Sequence, residues 1–247
     1  MSLVAVHDAL IGAKATSKDP FAEWYPRWGS TDLLLAINGI YNDGYGLPHN
    51  VNAVAWTDVA NGIELQLKRG TPNWEDNGLA CTSNAVTFLG DLNLSNVSGF
   101  TCEVFGYYGV NWGVLSALCK SSSKSIVDVM PNGDNIGATI NIQKSGTGQH
   151  IQYNYPVKPS TTDLCVSCGS DGVCKVYVNG TEVSRTTGQA YALASVQSIR
   201  FICVGTQYSG AFPPNGSIIY GATVYGDVLD DSEILSLYQK NLDNYIG

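Results

Sequence analysis

Lys175-Val176-Tyr177-Val178-Asn179-Gly180-Thr181-Glu182-Val183 is the stretch that decides the fold. Apolar side chains alternate into an Asn-Gly pair, and the chain leaves it on a second strand-like run. Asn-Gly between such runs is the strongest short-range hairpin signal, because a type I′ turn needs positive φ at both central positions. Further on, 216–225 reads as one more strand and Leu229-Asp230-Asp231-Ser232-Glu233-Ile234-Leu235 as the start of a helix. Asp230 caps it, and Glu233, three residues later, completes a capping box. Ile234, Leu235, Tyr238 and Leu242 then fall on one face at helical spacing. A single amphipathic helix after many strands is expected to pack on the outside of a β structure.

Strand signals recur upstream. Leu33-Leu34-Leu35-Ala36-Ile37 is a short buried run closed by Asn38-Gly39, a turn signal. Tyr41 to Asn50 is a polar loop, 54–58 a short strand, and Ile63 to Lys68 alternates strictly, as a half-buried strand does. Further strands are expected at 85–89, 100–107, 114–119, 125–129, 137–142, 150–155, 163–168, 173–179 and 198–205. Gly, Asn, Ser and Pro punctuate them all, a spacing that suggests a sandwich or barrel. Residues 1–30 differ: a short helix is expected over Ala5 to Lys14, followed by the aromatic, proline-bounded Pro20-Phe21-Ala22-Glu23-Trp24-Tyr25-Pro26-Arg27-Trp28. The division is therefore an N-terminal extension, 1–30, whose aromatics suit docking, and one β domain, 31–247.

Composition narrows the function classes. The 247 residues carry a net charge of −8, with Lys and Arg totalling 13 and nowhere clustered. Nucleic-acid binding requires a basic footprint, so it is not expected. No run approaches the ~20 apolar residues of a membrane span. Met1 to Ala15 lacks a basic start followed by a sufficient apolar run, so cytoplasmic synthesis is expected, with virion or cell-surface display as the later destination. The cysteines number 7, an odd count that leaves at least one thiol unpaired within the chain. The Asn93, Asn96, Asn179 and Asn215 sequons read as turn and strand composition.

The tail resembles the laminin-G-like branch of the concanavalin A-like lectin/glucanase superfamily. Lys175 to Gly180 is similar to its strand-and-turn, and Leu229 to Ile234 to the start of its closing helix. Upstream, 33–46, Val54-Ala55-Trp56-Thr57-Asp58 and Asn73-Trp74-Glu75-Asp76-Asn77-Gly78-Leu79 resemble the opening of such domains in proteins of gut Firmicutes and their phages. Val59-Ala60-Asn61-Gly62 departs from the family pattern as a shortened loop. The resemblance implies an all-β, concanavalin A-like jelly-roll β-sandwich with one C-terminal amphipathic helix. The superfamily spans lectins, adhesion domains, virion receptor-binding domains and glycoside hydrolases, so fold alone does not select a function.

Glucanases of that superfamily are similar in a Glu-x-Asp-x-Glu strand, because two carboxylates must flank the scissile bond and i, i+4 positions share a strand face. No such motif occurs. Glu64 and Glu103 each stand alone in their strands, and Asp230, Asp231 and Glu233 are explained by the helix cap. The His count is 3, and none sits in a triad-like arrangement, so the chain is expected not to be an enzyme. Cys165-Val166-Ser167-Cys168 with Cys174 invites a zinc reading, but alternation turns Cys165 and Cys168 to opposite faces; buried thiols, or a disulfide under oxidising conditions, fit better. Calcium is a cofactor option through loop oxygens, with Asp43 and Asp76 as ligands, although Asp and Asn also serve such turns without metal.

A recognition module for a glycan or cell-surface receptor is the leading expectation. Rings present flat apolar faces to sugars while Asn and Asp bond hydroxyls. Tyr41, Asn42 and Asp43 form one candidate set; Tyr108, Asn111 and Trp112 form another, and Tyr153 is a further candidate. The alternatives are an assembly domain of a virion or fibre, with homo-oligomer or particle contacts, and a hydrolase built on a carboxylate pair separated in sequence.

Overall fold

The computed structural model describes residues 19–80, 86–92, 97, 99–108, 115–121, 124–131, 138–143, 150–155, 160–187, 198–203 and 218–247. The first element among the described residues is the short helix α1 (Pro20–Trp24), followed by β1 (Leu33–Asn38), β2 (Ala55–Thr57), β3 (Glu64–Arg69), β4 (Asn73–Glu75), β5 (Gly78–Ala80) and β6 (Val86–Asp91). Next come β7 (Gly99–Tyr108), β8 (Leu115–Ser121), β9 (Lys124–Pro131), β10 (Ala138–Gln143) and β11 (His150–Tyr155). The last strands are β12 (Ser160–Gly169), β13 (Cys174–Val178), β14 (Thr181–Thr186), β15 (Ser198–Cys203) and β16 (Ile218–Tyr225), followed by helix α2 (Asp231–Tyr245). The expected helix over Ala5 to Lys14 lies outside the described residues.

Two eight-stranded sheets form the β-sandwich. The first runs β14-β13-β12-β7-β16-β5-β4, with β1 also on β16; the second runs β11-β10-β9-β8-β15-β6-β3-β2. All described strand pairs are antiparallel, as a lectin-like jelly roll requires. β16 carries three partners: β7 on one side, and β5 and β1 end to end on the other. The Asn179-Gly180 hairpin forms as its sequence demands, with φ of 53° and 70°.

Alternation gives the first sheet two faces, and both are buried. Leu164, Val166 and Cys168 on β12, with Cys102 and Val104 on β7, meet Trp56, Leu65 and Phe88 of the second sheet. Trp56 is fully buried and crosses Trp74 edge-on at 5.0 Å between ring centroids. Their indole N–H groups donate to Asn38 O (3.1 Å) and Ala53 O (3.0 Å). Buried indoles usually find such acceptors, because an unpaired N–H in a dry core is costly. The Trp-x-Asp motif is completed by Asp58, whose carboxylate accepts from the backbone of Ala36, Ala60 and Asn61 at 2.6–2.9 Å. These motif residues are architecture.

The opposite face of the first sheet supports a second core. Phe105, Cys165, Tyr177, Tyr220 and Tyr225 on the strands pack against Ile234, Leu237 and Tyr245 of α2 and against Phe21, Trp24 and Tyr25. The aromatic N-terminal segment is thus a strap over the chain's own sheet. The capping box of α2 is present in full, with Asp230 Oδ1 accepting from Ser232 and Glu233 N and Glu233 Oε2 accepting from Asp230 N. Its buried face differs from the expected one. Ile234, Leu237, Asn241 and Tyr245 are buried, whereas Leu235 is 41% exposed. The helix is rotated because Asn241 turns inward to a polar group under it.

Candidate functional site

That polar group is a pair of carboxyls. Glu103 on β7 and Asp163 on β12 are each 1% exposed. In the β7–β12 register Asp163 lies opposite Phe105 and Cys165 opposite Glu103, so the two carboxyls are diagonal neighbours on one face, within reach of each other. Glu103 accepts from Asn241 Nδ2 (2.6 Å) and Thr223 Oγ1 (2.9 Å), and Asn241 Oδ1 accepts from Trp24 Nε1 (2.9 Å). Among the described residues no well-aligned donor reaches the Asp163 oxygens, which lie beside the Glu103 carboxyl and the Asn241 amide. Burial pushes the Glu103 carboxyl up to about 7. Burial, and then the Glu103 charge, raise Asp163 well above the usual carboxylate range. Two buried carboxyls so placed cannot both ionise cheaply, so the pair keeps a proton near neutrality. Glu103 was expected to stand alone; its partner comes from a strand sixty residues away in the chain, and only the β7–β12 register reveals it. Helix α2 covers the pair, so its chemistry is structural.

An open furrow runs beside the other end of α2. One end, about 400 Å³, lies between the turn joining β12 to β13 and the segment leading to α2, lined by Ser167, Ser170, Asp171, Lys175 and Asp227. The other end, about 500 Å³, shares Lys175 and continues along Asp230, Asp231 and Ser232. Lys175 Nζ sits 2.9 Å from Asp231 Oδ1, which also accepts from Tyr177 OH at 2.7 Å. Those two donors hold the Asp231 carboxyl below its ordinary value, although its side chain is 64% exposed. Arg27 braces the 227–233 segment. Its guanidinium grips Glu233 at 2.8 and 2.9 Å and Asp227 at 2.9 Å, and donates to Val228 O at 3.2 Å. The furrow presents hydroxyls, carboxylates and one ammonium, with carboxylates in excess. Sequence reasoning assigned these residues to the helix cap and the hairpin; only the fold brings them to one wall.

The sequence-derived candidates are placed differently. Asn42 is fully buried and closes its own loop, with Nδ2 donating to Asn50 O and Oδ1 accepting from Asn50 N, both at 2.8 Å. Asp43 Oδ2 accepts from Asn50 Nδ2 at 2.8 Å. Tyr41 meets Phe21 edge-on at 5.1 Å. This trio stays together, folded into the 41–50 loop and the strap. Asp76 is exposed in the turn between β4 and β5. Among the described residues no group of three or more His, Cys, Asp or Glu side chains converges as a metal site. Asn111 and Trp112 lie outside the described residues; Tyr108 ends β7 and Tyr153 lies within β11, opposite Ile140. Also among the described residues, no helix is long and apolar enough to cross a membrane.

Neither a family model nor a curated protein sequence matches the chain. Solved structures do. The receptor-binding domain of botulinum neurotoxin mosaic serotype C/D matches with a TM-score of 0.64 at 11% identity, over 85% of this chain and 51% of that one. The binding domain of botulinum neurotoxin DC, in complex with rat synaptotagmin II, gives 0.62 at 10% identity, over 84% and 51%. A Trypanosoma rangeli sialidase gives 0.62 at 14% identity, over 98% of this chain and 39% of that one. The chain thus spans about half the toxin domains and about two-fifths of the sialidase. At these identities the likeness establishes a lectin-like β-sandwich fold. It also corrects one expectation: sialidase chains share this fold, so the missing glucanase motif does not exclude catalysis, and the assignment as a non-enzyme is withdrawn.

Proposed function

We propose that the chain is a laminin-G-like recognition module for hydroxyl-rich glycans, displayed on a particle or cell surface. The furrow between the β12–β13 turn and the start of α2 carries the reading. It is open, and it gathers the hydroxyls of Ser170 and Ser232, the carboxylates of Asp171 and Asp231 and the Lys175 ammonium along one wall. Sugars are recognised by such fixed donors and acceptors: the Lys175–Asp231 pair holds both groups in place, and an ammonium and a carboxylate each keep further hydrogen-bonding capacity for a hydroxyl. The excess of carboxylates favours neutral glycans over those bearing a carboxylate of their own. Receptor-binding domains among the matched structures, and the resemblance of the Trp56, Trp74 and Asn179-Gly180 segments to laminin-G-like domains, support the same reading.

A glycan array followed by calorimetry on the best ligand tests it. Binding of neutral glycans is expected, weakened about a hundredfold or more by Asp231→Ala combined with Lys175→Ala, since each lost bond to a charged group is worth roughly 1.5–3 kcal/mol. An array without binders, or affinity indifferent to both substitutions, would overturn it.

A further inference from the structure

Cys168 and Cys174 face each other across β12 and β13, at the last paired position before the turn 169–173. Gly169 N donates to Val173 O at 2.9 Å and Asn179 N to Asp163 O at 3.0 Å. Each is one backbone bond at a hydrogen-bonding register position, and such positions alternate along an antiparallel pair, so Cys168–Cys174 falls at a non-hydrogen-bonded one. Such pairs bring Cα atoms to about 4.5 Å with their side chains closest, inside the roughly 4.4–6.8 Å that disulfides bridge. Both side chains turn to the inner core, and both thiols are free. Cys102 shares that face but lies opposite Val166, one pair further along. Cys165 is on the other face. The turn that the pair closes is one wall of the furrow, where Val173 and Lys175 flank Cys174.

We propose that Cys168 and Cys174 form a reversible cross-strand disulfide, made by a peroxide-class oxidant, that fixes the 169–173 turn. Cys174 lies between Val173 and Lys175 of the open furrow, whereas Cys168 is fully enclosed, so Cys174 meets the oxidant first. Its thiolate takes one peroxide oxygen as a sulfenic acid and releases hydroxide. The Cys168 sulfur then displaces that oxygen, its proton leaving with it as water. Two thiols lose two electrons, and the peroxide becomes two waters.

The folded protein is treated with hydrogen peroxide, blocked with N-ethylmaleimide, digested and mapped by mass spectrometry. The expected product is a peptide pair joined through Cys168 and Cys174, lighter by two hydrogens and separated by dithiothreitol. Cys165→Ser is expected to leave it unchanged, since that thiol is on the opposite face. Recovery of Cys168 and Cys174 as maleimide adducts or sulfinic acids, or a link to any other cysteine, overturns the proposal. Limited proteolysis reads the second claim: cleavage within 169–173 is expected to slow about tenfold on oxidation, because a cross-link removes open conformations of a short loop. Equal cleavage rates would remove the role in fixing the turn.

Discussion

The two faces of the first sheet are held by different chemistry. Toward the second sheet, aliphatic side chains surround the crossed pair Trp56 and Trp74, and each apolar contact has neighbours that back it up. Toward α2, an aromatic layer encloses a chain of polar bonds from Trp24 through Asn241 to Glu103 and Thr223. Nonspecific apolar attraction can tolerate slippage, whereas a buried carboxyl accepts only a donor in the right place. The inner face supplies bulk stability; the outer face fixes the rotation of one helix and makes it sensitive to solution conditions.

The largest effect is expected on the inner face. Trp56→Ala removes a fully buried ring and its bond to Asn38 O, at a cost of about 3–5 kcal/mol read from chemical denaturation. A loss below ~1 kcal/mol would break the contrast, since the tryptophan pair would then not anchor the sandwich. Next comes Asn241→Ala, which strips Glu103 of one donor and Trp24 of its acceptor. A loss of about 2 kcal/mol is expected, the scale of leaving a buried polar group unsatisfied. An unchanged denaturation midpoint would mean that apolar contacts alone hold the helix.

The smallest effect is spread over pH. Glu103 and Asp163 both bind protons more tightly folded than unfolded. The folded state therefore carries the extra protons, and stability falls as pH rises from the ordinary carboxylate range through about 7. Glu103→Gln supplies a permanent N–H donor toward Asp163 and is expected to flatten that slope between pH 5 and 8. Urea midpoints across that window check it, and parallel slopes for wild type and variant would show that the pair does not titrate as a unit.

The same contrast explains what could be read in advance. The hairpin at Asn179-Gly180, the cap at Asp230 and Glu233, and the opposed faces of Cys165 and Cys168 all follow from local periodicity and turn chemistry. So does the sandwich, because the inner faces of its strands obey simple alternation. The outer core was not legible in that way. Asn241 is a polar residue on the buried side of a helix, and its reason lies on β7. Leu235 looks like a core residue by spacing yet faces solvent. Tyr41 and Asn42 resemble ligand-binding groups until the loop is seen to bond itself. The furrow residues Ser170, Asp171 and Asp231 come from separate segments that only the finished topology joins.

β16 touches β7 along one side and β1 and β5 along the other, and it is the last strand before α2. During vectorial synthesis β1, β5 and β7 all leave the ribosome well before the strand that must lie between them. Until 218–225 emerge, the first sheet is three separated pieces, β14-β13-β12-β7, β5-β4 and β1, and the second sheet has no complete surface to pack on. Sequence-distant pairing of this kind makes folding slow and exposes unpaired edges meanwhile. A chain built around so late a strand leaves its sandwich incomplete until 218–225 have emerged, and the interval before that is its most vulnerable to aggregation.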